Sequence, residues 1–164
     1  MIYYRMHASP LGSLLLAASQ QGLCGLYFEE HRHFRGAQGW IEMHDHPHLQ
    51  HAAEQLDDYF AGKRRVFNLP LDLSGTPFQQ KVWAHLPHVP YGATASYLLH
   101  AQTVGAGHAV RAVATAIGRN PVSIIVPCHR VVGSNGALTG YAGGLERKRY
   151  LLAFEAAGPG DGGD

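Results

Sequence analysis

Along the first part of the chain, short apolar runs alternate with turn formers. Ile2-Tyr3-Tyr4 is followed by Ser9-Pro10-Leu11-Gly12, then by Leu14-Leu15-Leu16-Ala17-Ala18, Gln20-Gln21-Gly22, and Leu23 to Phe28. Aromatic and Leu-rich runs separated by such signals predict strands joined as a hairpin or meander. A polar, histidine-rich stretch follows from Glu29 to Gln50. Leu49, Ala52, Ala53, Leu56, Tyr59 and Phe60 then recur at helical spacing, with Gly62 where a helix would stop; the spacing predicts a helix there. Leu69-Pro70-Leu71-Asp72-Leu73 runs into the turn-forming cluster Ser74-Gly75-Thr76-Pro77. This is the expected joint between a domain of residues 1–74 and one of residues 75–157.

From Thr76 the pattern becomes helical. Thr76 can cap, Pro77 suits a first turn, and Phe78, Val82, Trp83 and Leu86 share a face. Pro87 to Gly92 reads as a loop. Ser96 can cap a short helix through His100, and Gly105-Ala106-Gly107 separates it from a helix starting near His108 or Ala109. Two short helices around a tight Gly-bearing turn form the helix-turn-helix pattern, which many purely structural helix pairs share. On the second helix, 100° spacing puts Val110, Val113 and Ile117 on a buried face and Arg111, Ala112, Thr115, Ala116 and Arg119 on the other. A small outer face with an arginine at either end suits close approach to a DNA minor groove, which is only about 6 Å wide. The competing reading is an exposed alanine-rich helix chosen for propensity. The terminal Gly158 to Asp164 is too poor in apolar residues to pack and is expected to be a mobile tail.

Composition excludes several classes. The chain is 46% hydrophobic and 15% charged, and no stretch approaches the roughly 18 apolar residues a membrane span needs. No basic start with a long apolar run marks a secretory signal, so the cytoplasm is expected. Charge is divided unevenly. Residues 1–75 hold six Lys or Arg against eight Asp or Glu, whereas residues 76–155 hold seven (Lys81, Arg111, Arg119, Arg130, Arg147, Lys148, Arg149) against Glu146 and Glu155. The second half has the basic balance a polyanion partner requires.

The two cysteines, Cys24 and Cys128, have no CxxC partner and no metal-finger spacing, which favours thiol chemistry at one position over a disulfide. Cys128 follows the apolar run Val122 to Pro127 and precedes His129 and Arg130. A free thiol with a pKa of about 8.5 is only slightly ionised at neutral pH, and these neighbours offer a base and a positive field. In a strand, adjacent side chains diverge, so Cys128 and His129 can cooperate only if Pro127 marks a bend or water bridges them. The alternative is a buried structural cysteine.

Pro127-Cys128-His129-Arg130, preceded by Asn120-Pro121, resembles the active-site signature of the O6-alkylguanine-DNA alkyltransferases, also called methylated-DNA-protein-cysteine methyltransferases. Gly75-Thr76-Pro77-Phe78-Gln79, Val89-Pro90-Tyr91-Gly92, Ser96-Tyr97 and Gly140-Tyr141-Ala142-Gly143-Gly144-Leu145 fit the same family, as do Leu151-Leu152 and Glu155. The likeness spans residues 75–155 with spacing intact. Residues 1–74 match loosely, in length and in the Ser9 to Gly12 turn. Ala93 stands where many relatives carry an acid, and Ala142 where some carry serine.

The resemblance implies an α/β fold: a small sheet-plus-helix domain, ribonuclease H-like, packed on a mainly helical, winged-helix-like domain with the helix-turn-helix. It implies stoichiometric, irreversible transfer of an alkyl group from O6 of guanine, and also from O4 of thymine, to Cys128. His129, acting through water and oriented by Glu155, would take the thiol proton. The target nucleotide would swing out of the duplex. Arg111 would fill the gap, and Tyr97 would crowd the 3′ phosphate and protonate N3 of the leaving guanine. Val131, Pro127 and the nearby backbone would meet the base, Tyr141 and Ala142 would wall the pocket, and Asn120 would tie the helices to the active-site segment. The implied partner is duplex DNA bound through its minor groove by a monomer, with no cofactor and no metal.

Twelve histidines raise a zinc hypothesis, centred on His31, His33, His44, His46, His48 and His51 with Cys24. Without a CxxC anchor, solvated loop histidines are expected instead. Two other functions stay in view. A sensor of alkylated DNA would leave Cys128 unmodified, and a cysteine hydrolase would acylate it transiently and need an oxyanion hole.

Overall fold

Strand alternation at the start of the chain becomes an antiparallel meander of β1 (Tyr3–Ser9), β2 (Gly12–Ala18) and β3 (Leu23–Tyr27). The computed structural model describes residues 1–158; apart from Gly158, the tail expected from the sequence lies outside them. A fourth short strand, β4 (Ile41–Glu42), pairs parallel to β1, giving the sheet order β3-β2-β1-β4. It falls inside the stretch read as polar loop, because two residues carry no periodicity.

Helix α1 (Pro47–Phe60) covers one face of the sheet, burying Leu49, Ala52, Ala53, Leu56 and Tyr59. Leu14, Leu16, Leu49 and Leu56 are fully buried, and each leucine so placed contributes roughly 1.5–3 kcal/mol. The start of α1 is set by Pro47 and by the ring of His46, which accepts a hydrogen bond from the His48 amide at 3.2 Å. His46 is therefore a buried cap and His31 is buried too, contrary to the expectation of solvated loop histidines, whereas His33, His44 and His51 are exposed.

Helix α2 (Pro77–Ala84) opens with a reciprocal cap. The Gln79 amide donates to Thr76 Oγ1 at 3.1 Å, and the Thr76 amide donates to Gln79 Oε1 at 3.0 Å. It ends earlier than the spacing predicted. Pro87 cannot continue a helix, and Leu86 is buried from a following 3-10 turn, Leu86–His88. Phe78 turns outward.

Helices α3 (Tyr97–Thr103), capped by Ser96, and α4 (Val110–Gly118) are joined by the 104–109 turn and pack on each other, with α4 also against α2. The buried residues of α4 are Val113, Ala116 and Ile117. The sequence reading placed Ala116 on the outer face; it is only 4% exposed, and its carbonyl accepts the Trp83 indole N–H at 2.8 Å. Residues three and four apart share a helix face, so Ala116 follows Val113 inward.

Two short parallel strands, β5 (Ala95–Ser96) and β6 (Val131–Val132), and the final helix α5 (Leu145–Ala157) complete the fold. Strand β3 ties it together: the Leu26 amide donates to Pro121 O and the Leu23 amide to Pro70 O, both at 2.9 Å. Among the described residues, no helix is long and apolar enough to cross a membrane.

Candidate active site

The segment before Cys128 is neither strand nor helix. The Asn120 side chain governs it: its amide donates to Val126 O at 2.8 Å, and its carbonyl accepts the Val122 amide at 3.0 Å. Between these anchors, the Ile125 amide bonds Ser123 O at 2.8 Å across Ile124, whose φ is +70°. A left-handed β-branched residue in a three-residue turn is rare and strained, and full burial among apolar neighbours holds it there. A second three-residue turn bonds the Cys128 amide to Val126 O at 2.8 Å across Pro127 at φ −82°, ψ 64°. Cys128, His129 and Arg130 then form one 3-10 turn. With about three residues per turn, neighbouring side chains stand about 120° apart rather than on the opposite faces a strand would give them.

His129 and Arg130 both reach Glu155 of α5. His129 Nε2 lies 2.7 Å from Glu155 Oε2. Arg130 binds both oxygens, through Nε at 2.8 Å and Nη2 at 3.1 Å, while its Nη1 donates to Val89 O at 2.8 Å. The Tyr59 hydroxyl, from α1, donates to Oε2 at 2.6 Å. All four residues are buried. Burial would raise the Glu155 pKa, but hydrogen bonds and charge from His129 and Arg130 prevail and hold it at about 2. The carboxylate is thus ionised and accepts a hydrogen bond from Nε2–H, which leaves the His129 lone pair on Nδ1. Nδ1 is buried with no protein partner, and desolvation keeps His129 below its ordinary pKa.

Cys128 stands at the edge of a cleft of about 740 Å³ lined by Tyr97, Arg111, Thr115, Arg119, Tyr141 and Ala142. Burial pushes its thiol pKa up, opposed by the nearby Asn120 amide and the charge of Lys148. Lys148, fully buried, donates to Thr139 O at 2.9 Å, Gly140 O at 3.2 Å and the Tyr97 hydroxyl at 3.4 Å. Desolvation, against the charge of Cys128, lowers its pKa to about 8. The Tyr97 hydroxyl donates to Thr139 O at 2.9 Å, and burial raises its pKa, so it keeps its proton. The Tyr141 loop sits against the first strands. A Cβ at Gly143 would run into the Phe28 ring, and Arg147 donates to Gly143 O and Glu29 O, both at 3.0 Å.

The structure therefore brings Tyr97, Arg111, Thr115, Arg119, Tyr141 and Ala142 together around Cys128 and sets His129 and Glu155 behind it. Ala112 is exposed but does not line the cleft. Ala116 faces the core, and Val131 has a fully buried side chain. Pro127 lines a different groove, with Tyr91 and Ile125, and Asn120 acts on the backbone. Tyr59 and Lys148 escaped sequence reading because helical spacing reports both as ordinary helix residues. Among the described residues, no group of three or more His, Cys, Asp or Glu is placed to hold a metal ion.

Two family models match the chain: the 6-O-methylguanine DNA methyltransferase ribonuclease-like domain over residues 2–73, and the DNA binding domain of the same family over residues 77–157. A methylated-DNA–protein-cysteine methyltransferase of Mycolicibacterium paratuberculosis is 47% identical over 156 residues, covering 94% of this chain and 93% of the relative. The constitutive enzyme of that name from Bacillus subtilis is 46% identical over 165 residues, covering 94% and 96%. The crystal structure of Mycobacterium tuberculosis OGT in complex with DNA superposes with a TM-score of 0.87 at 46% identity, covering 97% of this chain and 96% of that one. With both halves matched and relatives 46–47% identical along nearly the whole chain, the chain belongs to the 6-O-methylguanine DNA methyltransferase family.

Proposed function

We propose that this protein repairs alkylated DNA by moving the alkyl group of O6-alkylguanine, and of O4-alkylthymine, onto Cys128 in a single irreversible turnover. The observation that carries this reading is a buried thiol at the edge of an arginine-lined cleft, backed by a histidine whose Nε2 is 2.7 Å from an ionised carboxylate. The raised thiol pKa calls for a base, and the free Nδ1 of His129 supplies one through a bridging water. Sγ attacks the alkyl carbon in line, the S–C bond forms as the C–O6 bond breaks, and guanine leaves. Tyr97, which keeps its proton, donates to N3 of the departing base. Overall, cysteine exchanges a proton for an alkyl group, and the stable thioether ends the reaction.

Reaching O6 requires the nucleotide to leave the stack, at a cost of a few kcal/mol. Arg111, on the exposed side of α4, fills the space, and Thr115 and Arg119 contact the DNA as the protein binds, as a monomer, along the minor groove. The small outer face of α4, with Ala112, supports that approach. In this reading residues 1–74 form a ribonuclease H-like domain, and residues 75–157 a winged-helix-like domain whose helix-turn-helix is α3 and α4. Intact-protein mass after incubation with a duplex carrying O6-methylguanine tests the proposal. Wild type gains one methyl group per molecule, located on Cys128, and Cys128→Ser gains none. Tight binding to the lesion with no mass gain would make the protein a sensor instead.

A further inference from the structure

The loop after β3 is built rather than loose. His31 is buried, stacks on Phe28 and accepts the Phe28 amide at 3.1 Å through Nδ1. Phe34 stacks on Tyr27 with ring centroids 4.1 Å apart. The Arg32 amide donates to Ala142 O at 2.8 Å, fastening the loop to the Tyr141 wall of the cleft. Two non-glycine residues take left-handed backbone, Glu30 at φ 59° and His33 at φ 68°, a conformation that costs of order 1–3 kcal/mol and gathers at functional positions.

The outcome of this geometry is that Arg32 and His33, both exposed, share the cleft wall with Arg111 and Arg119. Arg32, His33 and Arg119 also line a smaller adjoining recess of about 210 Å³. Among the described residues, none of Arg32, Arg111 and Arg119 pairs with a carboxylate. Like charges brought together from distant parts of a chain repel unless an anion joins them, and arginine matches phosphate oxygens with paired N–H donors.

We propose that the 29–35 loop is a second arm of the DNA-binding cleft, in which Arg32 and Arg119, with His33 beside them, hold a backbone phosphate of the bound duplex. The inference rests on the DNA-repair reading above and adds a contact from the N-terminal sheet region, outside the helix pair. A phosphate contact positions the duplex without reading its sequence.

Its test is the salt dependence of binding to a duplex containing O6-methylguanine, using the full chain. Each lost phosphate contact lowers the slope of log K against log salt by about 0.9. Arg32→Ala is expected to lose that increment and to bind several-fold more weakly at low salt, and Arg32→Lys to keep the slope. Arg35→Ala removes the same charge from the same loop at a position outside the cleft lining and keeps the wild-type slope. Thermal unfolding of each variant confirms an intact fold; if Arg32→Ala fails to fold, Arg32→Gln makes the same comparison. An unchanged slope in Arg32→Ala overturns the second arm while leaving repair intact. An equal loss in Arg35→Ala overturns it also, reducing the effect to net charge. Wild-type protein that neither binds the duplex nor acquires the methyl group overturns both readings together.

Discussion

Two cationic regions lie on either side of Cys128 and are treated in opposite ways by the fold. Behind it, His129 and Arg130 are sealed from water and share the Glu155 carboxylate with the Tyr59 hydroxyl. In front of it, Arg32, Arg111 and Arg119 stand exposed with no carboxylate partner among the described residues. A buried charge without a partner is prohibitively costly, so the first group had to be satisfied internally. An exposed guanidinium is satisfied by water and remains free for an anion. In the proposed function the difference separates positioning from recognition: the paired charges orient the base, and the unpaired ones receive the DNA.

The sharpest way to break the comparison is to remove the shared carboxylate. Glu155→Gln leaves the Arg130 guanidinium buried without its counterion, and denaturant unfolding is expected to show a loss of about 3–5 kcal/mol. Methyl transfer should fall with it, because His129 loses the charged acceptor that favours the proton on Nε2 and steadies the imidazolium that forms as the thiol is deprotonated. Next in size, Tyr59→Phe removes one of the hydrogen bonds to the carboxylate and should cost about 1.5–3 kcal/mol by the same measurement, with no change in the salt dependence of DNA binding.

Acid probes the same site without mutation. The folded-state pKa of Glu155 is lowered from 4.5 to about 2, so its stabilisation is fully present above 4.5 and disappears as pH falls toward 2. The wild-type unfolding midpoint should therefore drop through that window, and Glu155→Gln should show a shallower drop. The smallest stability effect belongs to the open side. Arg111→Ala should change unfolding free energy by no more than about 0.5 kcal/mol while weakening duplex binding and slowing transfer. A large stability loss at Arg111 would erase the distinction between the two regions.

Local signals carried much of the architecture. Turn formers at Ser9 to Gly12 and Gln20 to Gly22 bracket β2, the Thr76–Gln79 cap starts α2, and Leu49 to Tyr59 mark the buried stripe of α1. Each depends on residues a few positions apart, and backbone preference acts at that range. The candidate nucleophile was legible for a similar reason: Cys128, His129 and Arg130 are contiguous and form the core of the signature that the wider 75–155 resemblance surrounds.

What the sequence could not decide depended on chain separated by many residues. Tyr59 and Glu155 are 96 positions apart, and helical spacing gives no hint that one ends on the other. Ala116 was read as outward from a helical wheel, whereas packing of α4 against α2 turned it inward. The segment bearing Arg32 and His33 reads only as a polar, histidine-rich stretch, and its attachment to Ala142 O, far along the chain, fastens it beside the cleft. Periodicity and capping are properties of one element, so one sequence determines them. Shared hydrogen bonds, buried charge and converging arginines are properties of several elements at once, and they exist only after the sheet and helices have packed.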